Sequence, residues 1–530
     1  MASTPAIAAR PNVTSHGPSV GTALRVAGNV SEKHATPKKP RASARPEEGC
    51  AVFASLITLS TVLTSNNNAV DTLERLIRSR VAELTAGARM PSVRELQRTL
   101  HASPVTVQRA MQRLAAEGLV SLRPGSGTFV SVPPHLPPSS LGDMAWQTPV
   151  LGRAPEIPTG LDHLTMAATG VAIVLDNGFP DSTLHPVGLL GAAAGRAARR
   201  SAAWVRVAPE GITELRALFA AELGPSWSER NVVVTPGAQA GLDSVFRALV
   251  PHGSAVILEE PCYPGAIAAA MLSGLRCVPV PTDAYGLRTD LLERIIAESG
   301  ARLMVVQPRH ANPTGTVLSH ERRLELLDIA HRRGVFIVED DWVRDLDLSA
   351  TTPPPLATLD EHGHVVYLRS LSKIVAPGLR VAAMVARGPA LARLRSARLI
   401  TDFFVSPLLQ LTALEALTSA GWSRHLATVR SILRHRRDVT MDSLSSVRHL
   451  VSCDVPTGGV ALWLTLAESI DEATFVSALA TRGVRIGAGR SYHLSESPVG
   501  TARLAFAAAP EGDLRRAAAV ICDVALELGG

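Results

Sequence analysis

Chemistry that needs a neutral amine to attack a carbonyl has a single candidate over most of this chain. Beyond Lys39 the only lysine is Lys373, although the chain holds 53 Lys and Arg residues. Guanidinium is never deprotonated in a protein, so arginine cannot stand in where an amine must form a Schiff base. A lysine kept here, among cations that are otherwise arginine, points to a covalent imine with an aldehyde such as pyridoxal 5′-phosphate (PLP). The bland alternative is a lysine left by chance. The residues around it, Ser370-Leu371-Ser372-Lys373-Ile374-Val375-Ala376-Pro377-Gly378-Leu379-Arg380, weigh against that.

Other stretches carry groups that such an imine needs. Thr235-Pro236-Gly237-Ala238-Gln239 follows an apolar run and opens a helical one. A turn of small residues there frees backbone N–H groups and the helix dipole to hold a phosphate. Val338-Glu339-Asp340-Asp341-Trp342 ends an apolar strand in carboxylates. A carboxylate beside a pyridine nitrogen keeps that nitrogen protonated, so the ring can accept electrons. Asp340 and Asp341 are both candidates.

These motifs, with Glu260-Pro261-Cys262-Tyr263-Pro264, Asn312-Pro313-Thr314-Gly315 and Ala502-Arg503-Leu504-Ala505-Phe506, stand in an order that resembles fold-type-I aminotransferases over residues 170–525. The resemblance implies an α/β fold and PLP as cofactor. It implies Lys373 as the imine lysine, Asp340, with Asp341 as the alternative, at the ring nitrogen, and Gly237, Ala238, Ser370 and Arg380 at the phosphate. Tyr263 would stack on the ring, Asn312 would donate to the phenolic oxygen, and Arg503 would bind a substrate carboxylate. Three departures stand out. Trp342 sits where the family usually has a Tyr that donates to the phenolic oxygen, and indole can donate but cannot accept. Arg206 occupies a place where many relatives carry Tyr, and the loop from Leu223 to Arg230 is shortened. Cofactor capture survives these changes, whereas efficient transamination is put in doubt.

The elements that position this chemistry follow from length and pattern. At 530 residues the chain exceeds one ordinary core, so two or more domains are expected. Apolar runs at Asn231–Thr235, Ala255–Leu258, Leu303–Val306 and Val335–Val338 alternate with helical stretches. Continuous apolar strands between helices mean a sheet covered on both faces. Five scattered cysteines without CxxC spacing predict neither a zinc site nor a disulfide framework, and fit a reducing cytoplasm. The run Ala51 to Leu63 is too short for a membrane span and too deep in the chain for a signal peptide.

Charge is unevenly spread. Residues 1–65 carry seven Lys/Arg against three Asp/Glu, and residues 66–132 nine against five. The whole chain is +6, so residues 133–530 come to −2 and the basic surplus is N-terminal. That asymmetry points to a nucleic-acid-binding head on a body with another task. Residues 1–65, rich in Ala, Ser, Thr and Pro, read as disordered or as an over-long start of the reading frame. From Val70, apolar residues at spacings of three and four predict a helix. Pro91-Ser92 opens a second helix and Ser103-Pro104 a third, which Gly118 stops. Leu119–Val130 reads as a hairpin around Pro124-Gly125-Ser126-Gly127. Three helices and a hairpin within residues 66–132 make a winged helix-turn-helix. The prolines of 133–165 form a semi-stiff linker, partly polyproline in character, and 166–530 is the PLP-binding body.

Pro91-Ser92-Val93-Arg94-Glu95-Leu96, Ser103-Pro104-Val105-Thr106-Val107-Gln108-Arg109-Ala110 and the Gly125–Val130 wing resemble the GntR family of winged-helix regulators. The resemblance implies double-stranded DNA as partner. Arg94 would contact phosphate or a base, Ser103, Thr106 and Gln108 would line the recognition helix, and Gly127 would approach the minor groove. Arg113, deep in its helix, reads as a solvated arginine. Where Pro104 stands the family usually has a basic residue. Head, linker and body in this order resemble the MocR subgroup, whose members use an aminotransferase-like domain to hold PLP and form head-to-tail homodimers. That implies a regulator whose effector is PLP, an amino compound, or both. A working aminotransferase with a DNA-binding domain attached is the alternative.

Overall fold

A computed structural model of the 530-residue chain describes residues 70–131 apart from 71, 72, 75, 79, 80, 82, 83, 86, 101, 124 and 125. It also describes 144–151 and 173–529 apart from 350–352 and 498. The predicted disorder of 1–65, the Pro124-Gly125 tip of the wing, most of the Pro-rich segment and the first residues of the body lie outside the described residues. The chain divides into two compact units, parting between Thr148 and Pro149.

In the N-terminal unit the spacing of apolar residues becomes a core. Val70, Leu73, Ile77 and Val81 are buried with Leu96, Val107, Met111, Leu114 and Val130. Helix α1 spans Val93–Leu100. Ser92 caps it reciprocally: its Oγ accepts from the Glu95 N–H at 3.2 Å and Glu95 accepts from the Ser92 N–H at 2.8 Å. Helix α2 spans Pro104–Ala116 with Ser103 as N-cap, and Gly118 turns the chain at φ +74°. Strands β1 (Val120–Arg123) and β2 (Gly127–Val130) pair antiparallel, Val120 opposite Val130.

Within the segment read as extended linker the structure has a short helix, α3, over Gln147–Leu151. This corrects the polyproline reading locally. Pro149 lies in the first turn, where backbone N–H groups have no intrahelical acceptor to lose.

The body is built on an eight-stranded sheet in the order β4-β11-β10-β9-β8-β5-β6-β7. These strands are β4 (Val232–Thr235), β5 (Ala255–Glu260), β6 (Arg276–Asp283), β7 (Gly286–Leu287), β8 (Leu303–Val306), β9 (Phe336–Asp341), β10 (Val365–Ser370) and β11 (Ala382–Val385). The centre is parallel, and β11 and β7 run antiparallel to their neighbours. Side chains alternate across the sheet. Val232, Val234, Ile257, Met304 and Ile337 therefore enter one core, while Val233, Val256, Leu258, Val305 and Val338 enter another on the opposite face. Two-sided burial explains why these strands are apolar throughout.

A second sheet joins β12 (Val451–Ser452), β13 (Leu462–Leu466), β16 (Thr501–Leu504) and β15 (Gly487–Ala488), all antiparallel. Strand β14 (Val484–Arg485) pairs in parallel with β3 (Ile173–Val174), which brings the chain just after residue 174 beside the second sheet. Among the described residues no helix is long and apolar enough to cross a membrane.

Candidate functional site

Loops at strand ends converge on a cavity of about 130 Å³ that opens to solvent. Lys373, three residues beyond β10, reaches into it, with Asp340, Asn312, Tyr263, Ser370, Arg380, Ala238 and Arg503 on its walls. The sequence-predicted residues of the body are thus gathered in one place. Arg206 is not: it is exposed and does not line this cavity.

Helix α4 (Ala238–Leu249) begins at the wall, with Gly237 as its N-cap at φ +102° and ψ 159°. A Cβ on Gly237 would lie 2.5 Å from the Arg380 guanidinium, so the missing side chain makes room for that arginine. Arg380 donates to the Pro236 carbonyl at 2.8 Å, which aims its fork at the helix start. The first N–H groups of α4, this fork and the Ser370 hydroxyl together form an anion cradle.

On β9, alternation decides between the two aspartates. Asp340 faces the cavity, whereas Asp341 faces away and accepts from the Tyr367 hydroxyl at 2.8 Å and from Arg309 at 3.2 Å. Burial first, and then the neighbouring Asp341 charge, pushes the Asp340 carboxyl up to about 6 against a hydrogen bond from Gln307. At Lys373, burial first and the Arg503 cation second push the ammonium down to about 7, opposed by Asp340. The side chain keeps some exposure to the cleft while its amine end is enclosed, with the Phe179 ring centroid 3.4 Å from Nζ. Burial also raises the Tyr263 phenol to about 12, which leaves it neutral.

Gln307 ties the site together and was not legible as a site residue. Its N–H donates to Glu259 at 2.9 Å, its side-chain amide donates to Asp340 at 2.7 Å, and its Oε1 accepts from the Asn312 N–H at 2.8 Å. Phe179, Asp176 and Tyr492 also line the cavity and were missed. The usable signal for Gln307 was a polar residue ending the buried run Leu303–Val306. Phe179 and Asp176 carried none, because their segment meets the site through long-range backbone pairing, β3 with β14 and Leu175 with Ala505.

At position 342 the indole stands at the wall, but its N–H donates to the His310 carbonyl at 3.1 Å. Several polar atoms here are buried without a protein partner: Asp340 Oδ1, Asn312 Oδ1, and Arg503 Nε and Nη2. Buried polar groups are normally paired. An anion cradle, an amine, an unpaired carboxylate oxygen and an aromatic face fit the phosphate, aldehyde, ring nitrogen and ring of PLP.

In the N-terminal unit Arg94, Ser103 and Gln108 are exposed and Thr106 is half-buried. The Ser103 hydroxyl accepts from the Thr106 N–H at 3.2 Å and lies 2.8 Å from Thr106 Oγ1, so it already serves as a cap. Arg113 pairs with Glu74 at 3.4 Å, in keeping with its reading as a solvated helix arginine. Gly127 opens β2 at φ +109°, and the Arg89 guanidinium packs against it. Val105, 60% exposed at the start of α2, is an apolar group set among polar ones.

Residues 194–521, more than half of the chain, match the family of aminotransferases of class I and II. The chain belongs to that family. Residues 66–130 match the bacterial regulatory proteins of the gntR family, so the body carries a GntR-type DNA-binding domain in front of it, the MocR arrangement. The uncharacterized HTH-type transcriptional regulator YdfD of Bacillus subtilis is 26% identical over 451 residues, 82% of this chain and 91% of its own. The 2-aminoadipate transaminase of Thermus thermophilus is 34% identical over 303 residues, 56% of this chain and 75% of its own. Among solved structures, LysN, an α-aminoadipate aminotransferase of Thermus thermophilus complexed with N-(5′-phosphopyridoxyl)-L-leucine, superimposes with a TM-score of 0.64 at 29% identity. That likeness covers 70% of this chain and 97% of LysN.

Proposed function

We propose that this protein is a transcriptional regulator that holds PLP on Lys373 and senses PLP, an amino compound, or both. When bound, PLP supplies an aldehyde for imine formation and a ring that accepts electrons. Lys373 would carry it, its amine kept largely neutral by burial. Arg380, Ser370 and the start of α4 at Gly237 and Ala238 would hold the phosphate. Asp340, fixed by Gln307, would keep the ring nitrogen protonated. Asn312 would donate to the phenolic oxygen and Tyr263 would stack on the ring. Arg503 would take the carboxylate of an incoming ligand. Arg94, Ser103, Thr106, Gln108 and Gly127 would face a double-stranded DNA operator, and a homodimer would present two such heads.

The observation that carries sensing over turnover is the Trp342 N–H, which is committed to the His310 carbonyl. Position 342 then offers nothing to adjust the phenolic oxygen, so capture is supported while a full catalytic cycle is not. The reading is tested by absorbance of the purified protein, borohydride fixation and operator binding with and without PLP. PLP absorbance should appear, the label should fall on Lys373, and PLP or amines should shift operator affinity. A colourless wild type that takes up no PLP would sink it. A working aminotransferase is the second reading, supported by the lowered Lys373 amine and the unpaired Arg503 fork. Sustained multiple-turnover transamination without any effect of PLP or amine on DNA binding would make it the better one.

A further inference from the structure

We infer that the amino compound is an amino acid with one carboxylate and an uncharged, apolar or aromatic side chain. The inference rests on the reading above, in which Lys373 holds PLP and Arg503 meets the ligand. It comes from the charges that the described walls offer. Five charged side chains line the cavity: Asp176, Asp340, Lys373, Arg380 and Arg503. Arg380 is held over Gly237 at the anion cradle, and Lys373 is the imine amine. Asp340 is bound by Gln307 at 2.7 Å through one oxygen, and its other oxygen, unpaired in the protein, is the one that would meet the ring nitrogen of PLP. Asp176 is ion-paired with Arg485 at 2.6 Å and so is already neutralised. Arg503 alone keeps buried donors without a partner, Nε and Nη2. One carboxylate therefore finds a match. A second would be buried without a counter-charge, and a second ammonium would find no open acid.

The remaining wall is aromatic. Phe179 and Trp342 flank the Lys373 amine, with ring centroids at 3.4 Å and 5.9 Å from Nζ. Tyr492 lies nearer Arg503 and is held edge-on by Trp463, ring centroids 5.6 Å apart. A ligand whose amine replaces that of Lys373 and whose carboxylate meets Arg503 must therefore set its side chain against rings. Gly178 keeps the space between the two ends clear. A Cβ at this position would lie 3.5 Å from both Lys373 Nζ and Arg503 Nη2, which places those nitrogens within about 7 Å of each other. That span suits a short amino acid, and a methyl at 178 would intrude on it.

The test uses full-length protein loaded with PLP, titrated with L-phenylalanine, L-leucine, L-glutamate, L-lysine and 2-phenylethylamine. Absorbance and thermal midpoint are both followed. L-Phenylalanine and L-leucine should half-saturate at concentrations at least tenfold below the other three. Gly178→Ala should raise their half-saturation at least tenfold while the PLP absorbance persists. L-Glutamate or L-lysine acting at equal or lower concentration would overturn the charge argument, and phenylethylamine doing so would overturn the carboxylate. Bound PLP with no response to any of the five would overturn the inference and leave the cofactor reading standing. A protein that takes up no PLP would overturn both.

Discussion

The Lys373 amine offers a quantitative test of the cofactor site through the pH dependence of PLP capture. Only the neutral amine attacks an aldehyde. Burial and the Arg503 cation bring its titration from an ordinary 10.5 down to about 7. At about pH 7.5 an amine titrating at 10.5 is neutral roughly once in a thousand, and one titrating at about 7 roughly three times in four. The reactive form is thus enriched by roughly 700-fold. Mixing PLP-free protein with PLP and following absorbance from pH 5.5 to 10 should give a rate that rises tenfold per unit below about 7 and levels above it. The two charged neighbours move the inflection in opposite directions. Arg503→Met removes a cation that disfavours the ammonium, so the inflection should move up. Asp340→Asn removes the carboxylate that favours it, so the inflection should move down. A wild-type rate still climbing log-linearly at pH 9 would show an ordinary, solvated lysine. Shifts of the same sign in both variants would show that the inflection does not belong to Lys373.

Three further outcomes follow from named contacts. Gly237→Ala forces a side chain into a left-handed backbone and against Arg380, so the thermal midpoint should fall by an amount equivalent to about 1–3 kcal/mol and PLP affinity should drop; an unchanged midpoint contradicts the cradle. Gln307→Leu strips a hydrogen bond from Asp340, Glu259 being spared because it uses the backbone N–H, and removes the acceptor of the Asn312 N–H; about 1–3 kcal/mol per orphaned group is expected, read as weaker PLP binding with a shifted absorbance maximum. Arg94→Ala should weaken operator binding by about 1–3 kcal/mol, and wild-type affinity should fall linearly with the logarithm of salt concentration; no loss in the variant would place Arg94 off the DNA.

Element types in the sheet were legible because two-sided burial writes itself as continuous apolar sequence. Strand order was not, since nothing in Val232–Thr235 states that it pairs with Ala382–Val385 rather than with its sequence neighbour. β6 hid for a different reason. Pro279 and Pro281 cannot donate to a ladder, and a central strand rarely carries them. They are tolerated because, opposite β5, this strand meets only the two-residue β7, at Thr282 and Asp283. The second sheet was hidden by the shortness of β12 and β15, each two residues long. The α3 helix went unread because proline density outweighs a five-residue turn in any compositional reading.

Site residues whose chemistry is rare were legible, and those that act by position were not. Lys373 stands out because no other residue type can do its work, and Asn312 because it sits in a specific motif. Asp340 and Asp341 are chemically equal in sequence; the pleat of β9 separates them, turning one to the cavity and the other to Tyr367 and Arg309. Trp342 shows the limit from the other side. Its sequence says that it can donate, and only the fold says to whom. Because His310 stands at φ +48° with its carbonyl turned to the indole, that donor is taken before any cofactor arrives. A phenol restored there by Trp342→Tyr would not reach the same acceptor with the same atom, so its hydroxyl would be open to the cavity. If that variant gains transamination turnover while PLP capture is unchanged, the engaged indole separates sensing from catalysis; if turnover stays absent, the separation lies elsewhere in the pocket.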